Sequence, residues 1–278
     1  MTHLAAALQM SAGPDKSRNL ESAGRLVRLA AARGARLVVL PEVFNWRGKR
    51  SEEPSQAEGL YGPSLTWMAG LARELQLHLV AGSITERALG QEKNYNTSVA
   101  FGPDGRQLAV YRKIHLFDVE LSGRLRARES EAKLSGEKVV TAETALGPIG
   151  LSICYDLRFP ELYRELALRG ARVITVPSAF TFPTGEAHWE VLIRARAIEN
   201  QAYVIAAAQI GPNPHGFSDY GNSMIVDPWG RVLARAPDRQ EAAAIAPIDF
   251  EYQDQVRREL PALEHVRLLH RPGDKRQP

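Results

Sequence analysis

Apolar positions along the chain follow two rhythms, short continuous runs and helical spacing, and together they predict an alternating series of strands and helices. Residues 4–10 (LAAALQM) form an unbroken apolar run that reads as a buried strand. Gly13, Pro14 and Asp15 then punctuate the chain. Over residues 15–33, Leu20, Ala23, Leu26, Val27, Ala30 and Ala31 recur at helical spacing, and Gly34 is a stop. LVVLPE (37–42) predicts a short strand leading to Pro41 and Glu42, residues 64–75 a helix, and HLVAGSI (78–84) another strand. Residues 94–101 and 106–111 predict a hairpin around Pro103-Asp104-Gly105, where proline presets one turn angle and glycine tolerates the next. Residues 112–136 are polar and irregular and read as loop with a short helical turn. A second hairpin is expected over 138–154, turning at Gly147-Pro148. A helix follows over 159–169, with Pro160 in its first turn and Gly170 at its end. A strand at 171–177, a helix at 187–201, a strand at 202–210, a hairpin over 221–236, a strand at 241–250 and a helix at 251–260 complete the series.

This order is that of an α/β protein with mixed sheets. No Gly/Ser/Pro linker divides it, so a single domain is expected over residues 1–260, followed by an extended tail over 261–278. The chain has 278 residues, 44% of them hydrophobic and 24% charged, an ordinary globular balance that excludes a disordered chain. Its net charge of +3 is spread without a block of like sign, which argues against a nucleic-acid partner. A lone cysteine excludes an internal disulfide framework, no apolar run approaches membrane length, and the short apolar start without a basic region ahead of it leads to the expectation of no signal peptide. The expectation is a cytoplasmic protein with no membrane partner.

Three residues stand where strands are expected to end. Cys154 closes the apolar run IGLSIC and precedes a predicted helix. There, outward-facing N–H groups can hold developing negative charge, and a helix dipole or nearby cation favours thiolate over thiol. The alternative is an inert buried cysteine. Glu42 follows LVVLP, where partial desolvation suits a carboxylate to act as a general base; the alternative is an exposed acid in a turn. Lys113, in VYRKIHLF, is either a surface lysine or a cation for an oxyanion. His188 and His115 offer a rival cysteine–histidine arrangement. No HxxxH, CxxC, GxGxxG or Walker-type spacing appears, so metal and nucleotide sites lack support. Ser152 and Asp156 flank Cys154 where a glutamine amidotransferase elbow carries glycines.

With LVVLPEVF, YRKIHLF and LSICYDLRFPELYRELALRGARVITVPSAF in place, the chain resembles the nitrilase, or carbon–nitrogen hydrolase, superfamily. The resemblance implies a four-layer αββα sandwich, a Glu42–Lys113–Cys154 triad and assembly as a homodimer or larger homo-oligomer. It maps a supporting glutamate to Glu129, with Glu131 as the adjacent alternative. TGEAHWEVLIRARAIENQAYVIAAAQIG and YGNSMIVDPWGRVLA are similar to the deaminated glutathione amidase branch, although Glu186 stands where those relatives more often carry proline. The neighbouring ω-amidase branch shares much of this pattern, and acyl transfer is a further alternative. The implied reaction hydrolyses a small-molecule amide, releasing ammonia through a Cys154 thioester, with no metal or organic cofactor. Lys113 and the backbone N–H of Tyr155 would hold the oxyanion, and Arg158 would receive a substrate carboxylate.

Overall fold

A computed structural model describes residues 2–121, 125–214 and 216–268. In chain order the first half comprises β1 (Thr2–Met10), α1 (Lys16–Ala32), β2 (Ala35–Val39), α2 (Glu53–Gln56), α3 (Pro63–Leu75), β3 (His78–Val80), β4 (Ile84–Glu86), β5 (Tyr95–Phe101), β6 (Gln107–Arg112), β7 (Asp118–Leu121) and β8 (Leu125–Arg128). The second comprises β9 (Thr141–Ala142), β10 (Ile149–Leu151), α4 (Pro160–Leu168), β11 (Val173–Ser178), α5 (Phe182–Asn200), β12 (Tyr203–Pro212), β13 (Ser218–Tyr220), β14 (Met224–Val226), β15 (Val232–Arg235), β16 (Ala242–Asp249) and α6 (Phe250–Glu259). Among the described residues, all strands but β7 and β8 join one mixed sheet whose spine runs β4-β5-β3-β2-β1-β12-β11-β10-β9.

That sheet folds back on itself, and the alternation of β1 explains how. Ala6, Leu8 and Met10 pack outward with Val38 and Leu79 against Ala23, Leu26 and Val27 of α1 and Met68 and Leu71 of α3. The intervening Ala5 and Ala7 join Leu37 and Val39 in a second cluster with β10, β11, β12 and β14. Leu162 and Leu166 of α4 and Trp189 and Ile193 of α5 complete that cluster. The result is the expected αββα order. β1 and β12 meet at the seam, and each carries a fully buried Ala-Ala-Ala run, small side chains where both faces are covered.

Strand direction places the exits. β1 runs parallel to β2 and β12, and β11 and β10 continue in that direction. β3 is parallel to β2, β5 antiparallel to β3, and β6 antiparallel to β5, so β6 also points that way. The C-terminal ends of β2, β6, β10, β11 and β12 therefore meet at one rim, the usual place for an α/β site.

Four expectations needed correction. Residues 112–136 contain the β7–β8 hairpin as well as a 3-10 turn at Glu129–Glu131. α5 begins at Phe182, ahead of the expected 187, because Pro183 fits the first helical turn. Gly185 belongs to that turn: a Cβ there would lie 2.4 Å from the Cβ of Tyr220, so the helix needs glycine to approach β13. Strand HLVAGSI breaks into β3 and β4. The tail expected from 261 is turn and bend to Leu268, and residues 269–278 lie outside the described residues.

Candidate active site

Glu42, just past β2, is buried with 5% of its surface exposed. Its Oε1 accepts from Asn96 Nδ2 at 2.8 Å and from Lys113 Nζ at 2.9 Å, and its Oε2 accepts from the Ala179 N–H at 2.9 Å. The next residue, Val43, has φ +47°, a left-handed conformation costly for a β-branched side chain. It is held there by its N–H donating to Ser83 Oγ (2.9 Å), while Gln209 Nε2 donates to the Glu42 carbonyl (2.9 Å). Strain fixed by surrounding bonds is a common mark of functional backbone.

Lys113 leaves β6 and is 2% exposed. Its Nζ donates to Glu42 Oε1 and to Glu129 Oε2, both at 2.9 Å. Burial works against the charge, but Glu129 and Glu42 outweigh it and hold the ammonium's proton well above the usual lysine range. Glu129 also accepts from the Phe117 N–H (2.7 Å) and from Asn96 Nδ2 (3.2 Å). Burial would raise its proton affinity, yet Lys113 and these donors bring it below the usual carboxylate range. Glu131, the adjacent alternative, points outward to Arg50 at 3.0 Å.

Cys154 begins a 3-10 turn, Cys154–Arg158, with φ +48°. The turn separates it from α4, so the dipole of that helix does not start at the sulfur as the sequence implied. The expected thiolate is corrected with it. Burial and the negative charge of Glu42 raise the thiol well above the usual range, against the lowering pull of Lys113 and the Ala179 N–H. The resting sulfur is a thiol beside a carboxylate.

Asp156, fully buried, joins two of these exits. It accepts from Tyr111 Oη (2.6 Å) and the His115 N–H (3.1 Å), on either side of Lys113, and from the Ile153 N–H (2.8 Å) before Cys154. His115 Nδ1 lies 2.7 Å from Asp156 Oδ1, and its ring stacks on Phe159 at 3.6 Å. His188 Nδ1 lies 3.3 Å from Arg158 Nη1. Neither imidazole lines the cavity at Cys154, so the histidines support the site or its rim.

That cavity, about 260 Å³, is lined by Glu42, Lys113, Glu129 and Cys154 together with Tyr155 and Arg158. All six residues expected from the sequence thus share one cavity. Tyr155 presents its ring edge-on to Phe117 (5.0 Å between centroids), forming an aromatic wall. Arg158 lies over the Phe180 ring at 5.1 Å. Asn96, Ala179 and Asp156 were not anticipated. Asn96 sits in a stretch that signalled only a strand, and the one available hint was a polar side chain on a buried strand face. A backbone N–H such as that of Ala179 leaves no trace in residue type.

Comparison with known proteins identifies the family. The carbon–nitrogen hydrolase family profile matches residues 4–258. The deaminated glutathione amidase of Synechocystis sp. (strain PCC 6803 / GT-S) is 43% identical over 266 residues, covering 95% of this chain and 97% of that protein. An omega-amidase of Xenopus tropicalis is 41% identical over 254 residues, covering 91% of each. The crystal structure of Saccharomyces cerevisiae Nit3, a nitrilase superfamily member, superposes with TM-score 0.85 at 34% identity, covering 94% of each chain. With the profile spanning nearly every element of the fold, the chain belongs to the carbon–nitrogen hydrolase family and is a hydrolase of carbon–nitrogen bonds.

Proposed function

We propose that this enzyme hydrolyses the amide of a 2-oxo acid, deaminated glutathione above all, through a Cys154 thioester. The observation that carries the mechanism is the buried Glu42 carboxylate, hydrogen-bonded at once to Lys113 Nζ and the Ala179 N–H and sharing the cavity wall with Cys154. Glu42 takes the thiol proton as Sγ attacks the amide carbon. Lys113 and the Tyr155 N–H hold the resulting oxyanion, and the ammonium charge is secured by two carboxylates. The proton on Glu42 passes to the departing nitrogen and the C–N bond breaks. Water then enters, Glu42 takes its proton, hydroxide attacks the thioester, and the C–S bond breaks to give the acid. The proton returns to sulfur. Covalent catalysis thereby divides one difficult hydrolysis into two easier steps. For deaminated glutathione the departing group is a dipeptide amine; for a primary amide it is ammonia. Glu129 positions Lys113, and Arg158 receives the 2-oxo acid carboxylate.

The substrate rests on similarity to the Synechocystis enzyme, and the ω-amidase relative supports a second reading, a smaller 2-oxo acid amide such as 2-oxoglutaramate. Purified enzyme and its Cys154→Ala variant, assayed on deaminated glutathione, 2-oxoglutaramate and simple amides, separate the two. Highest kcat/KM on deaminated glutathione, absent in the variant, is the expected result. Turnover surviving in Cys154→Ala removes the thioester.

We also propose that residues 1–260 act as one domain and that the enzyme forms homo-oligomers in the cytoplasm. Apolar Phe182, Val191 and Ile198 exposed on α5 support the assembly, and a single, unpaired cysteine supports a reducing compartment. Among the described residues no helix is long and apolar enough to cross a membrane.

A further inference from the structure

Among the described residues, seven cationic side chains and three carboxylates line the cavity. Five of the cations are matched to acids: Lys113 to Glu42 and Glu129, Lys133 to Glu53, Arg47 to Asp219, Arg50 to Glu131 and Arg128 to Glu120. Two guanidiniums are left. Arg158 meets His188 and the faces of Tyr155 and Phe180, with no carboxylate in ion-pair range among the described residues. The Arg126 guanidinium has no hydrogen bond, ion pair or ring contact among the described residues. Glu120 lies directly across the β7–β8 ladder from Arg126, but its carboxylate turns to Arg128 at 3.6 Å.

We propose that Arg126 forms a second anion subsite, which selects amides whose nitrogen carries an extension ending in a carboxylate. The proposal rests on the 2-oxo acid amide reading and deepens it. Arg158 would take the carboxylate of the acyl half, and Arg126 that of the leaving half. The spacing fits. β8 runs from Arg126 into the turn that bears Glu129, so three residues of extended chain, roughly 10 Å, separate the subsite from the Lys113 partner. A dipeptide extension beyond the amide nitrogen spans about 7 Å, and the arginine side chain covers the remainder. A guanidinium is suited to this task because its planar fork binds a carboxylate through two parallel hydrogen bonds. A substrate lacking the extension, such as 2-oxoglutaramate, would leave Arg126 unused.

The test compares deaminated glutathione with the same compound capped as a C-terminal amide, in the wild type and in Arg126→Gln and Arg126→Lys. The wild type should prefer the free carboxylate by about tenfold in KM, with kcat little changed, as expected for a lost charge-assisted contact. Arg126→Gln should abolish that preference, and Arg126→Lys should retain part of it. If the wild type hydrolyses both compounds without preference, or the preference persists in Arg126→Gln, the subsite is wrong while the amidase reading stands. If the wild type hydrolyses neither, nor 2-oxoglutaramate, the substrate reading fails and the subsite with it.

Discussion

At the scale of single residues, the site is a set of protonation states fixed by contact. The Cys154 thiol is buried beside Glu42, and only Lys113 and one N–H pull its pKa down. Its alkylation by iodoacetamide should therefore titrate with a midpoint above the ordinary cysteine value of about 8.5. Lys113→Met, which removes a lowering influence, should move the midpoint higher still; a midpoint below neutrality in the wild type would contradict the resting thiol. Glu42 is the group placed to take that proton, so Glu42→Gln should lower kcat by roughly 10²–10⁴-fold. His115 and His188 are engaged by Asp156 and Arg158, so His115→Ala and His188→Ala should each stay within about tenfold of wild type, the loss of a supporting contact. Abolished turnover in either, with a mild Glu42→Gln, would restore the cysteine–histidine arrangement. Glu42, Lys113 and Cys154 were legible from the sequence because each follows an apolar run, and Glu129 through resemblance. The choice between Glu129 and Glu131 was not: both lie in one 3-10 turn, and only the fold shows which one faces Lys113.

At the scale of elements, the exits of β6 and β10 must be held in register, and Asp156 bridges them through Tyr111, His115 and Ile153. Gly136 guards the same exit from the other side. Its N–H donates to the Lys113 carbonyl at 2.8 Å, and a Cβ there would lie 2.1 Å from the carbonyl oxygen of Arg112. Gly136→Ala should therefore shift Lys113, lower kcat and reduce stability by about 1–3 kcal/mol, as for other overpacked sites. Thermal melting and steady-state kinetics together check this, and an unchanged kcat would show that the exit tolerates displacement. Most elements were visible as periodicity. The exceptions have local causes: the first turn of α5 carries Pro183 and Gly185 rather than apolar residues at helical spacing, and the two strands of the β7–β8 hairpin are only four residues long, too short for their alternation of Val119 and Leu121 with acids, and of Leu125 and Ala127 with arginines, to stand out in a polar stretch.

At the scale of the whole molecule, the modest net charge of +3 conceals a cavity in which cations outnumber acids. A field of that sign gathers anionic substrates and is screened by salt. Raising ionic strength should lower kcat/KM for 2-oxo acid amides and leave neutral amides nearly unaffected; equal responses would mean the cavity field plays no part in capture. The amino-acid sequence on its own determined the alternation of strands and helices, the residues at the strand exits and, through its motifs, the family, because periodicity and residue type are local properties. The tertiary structure alone decided that these exits share a rim, that the sulfur rests as a thiol and that Arg126 and Arg158 have no acidic partner among the described residues. Those properties depend on burial and on contacts between segments far apart in the chain, and neither exists until the sheet has folded onto itself.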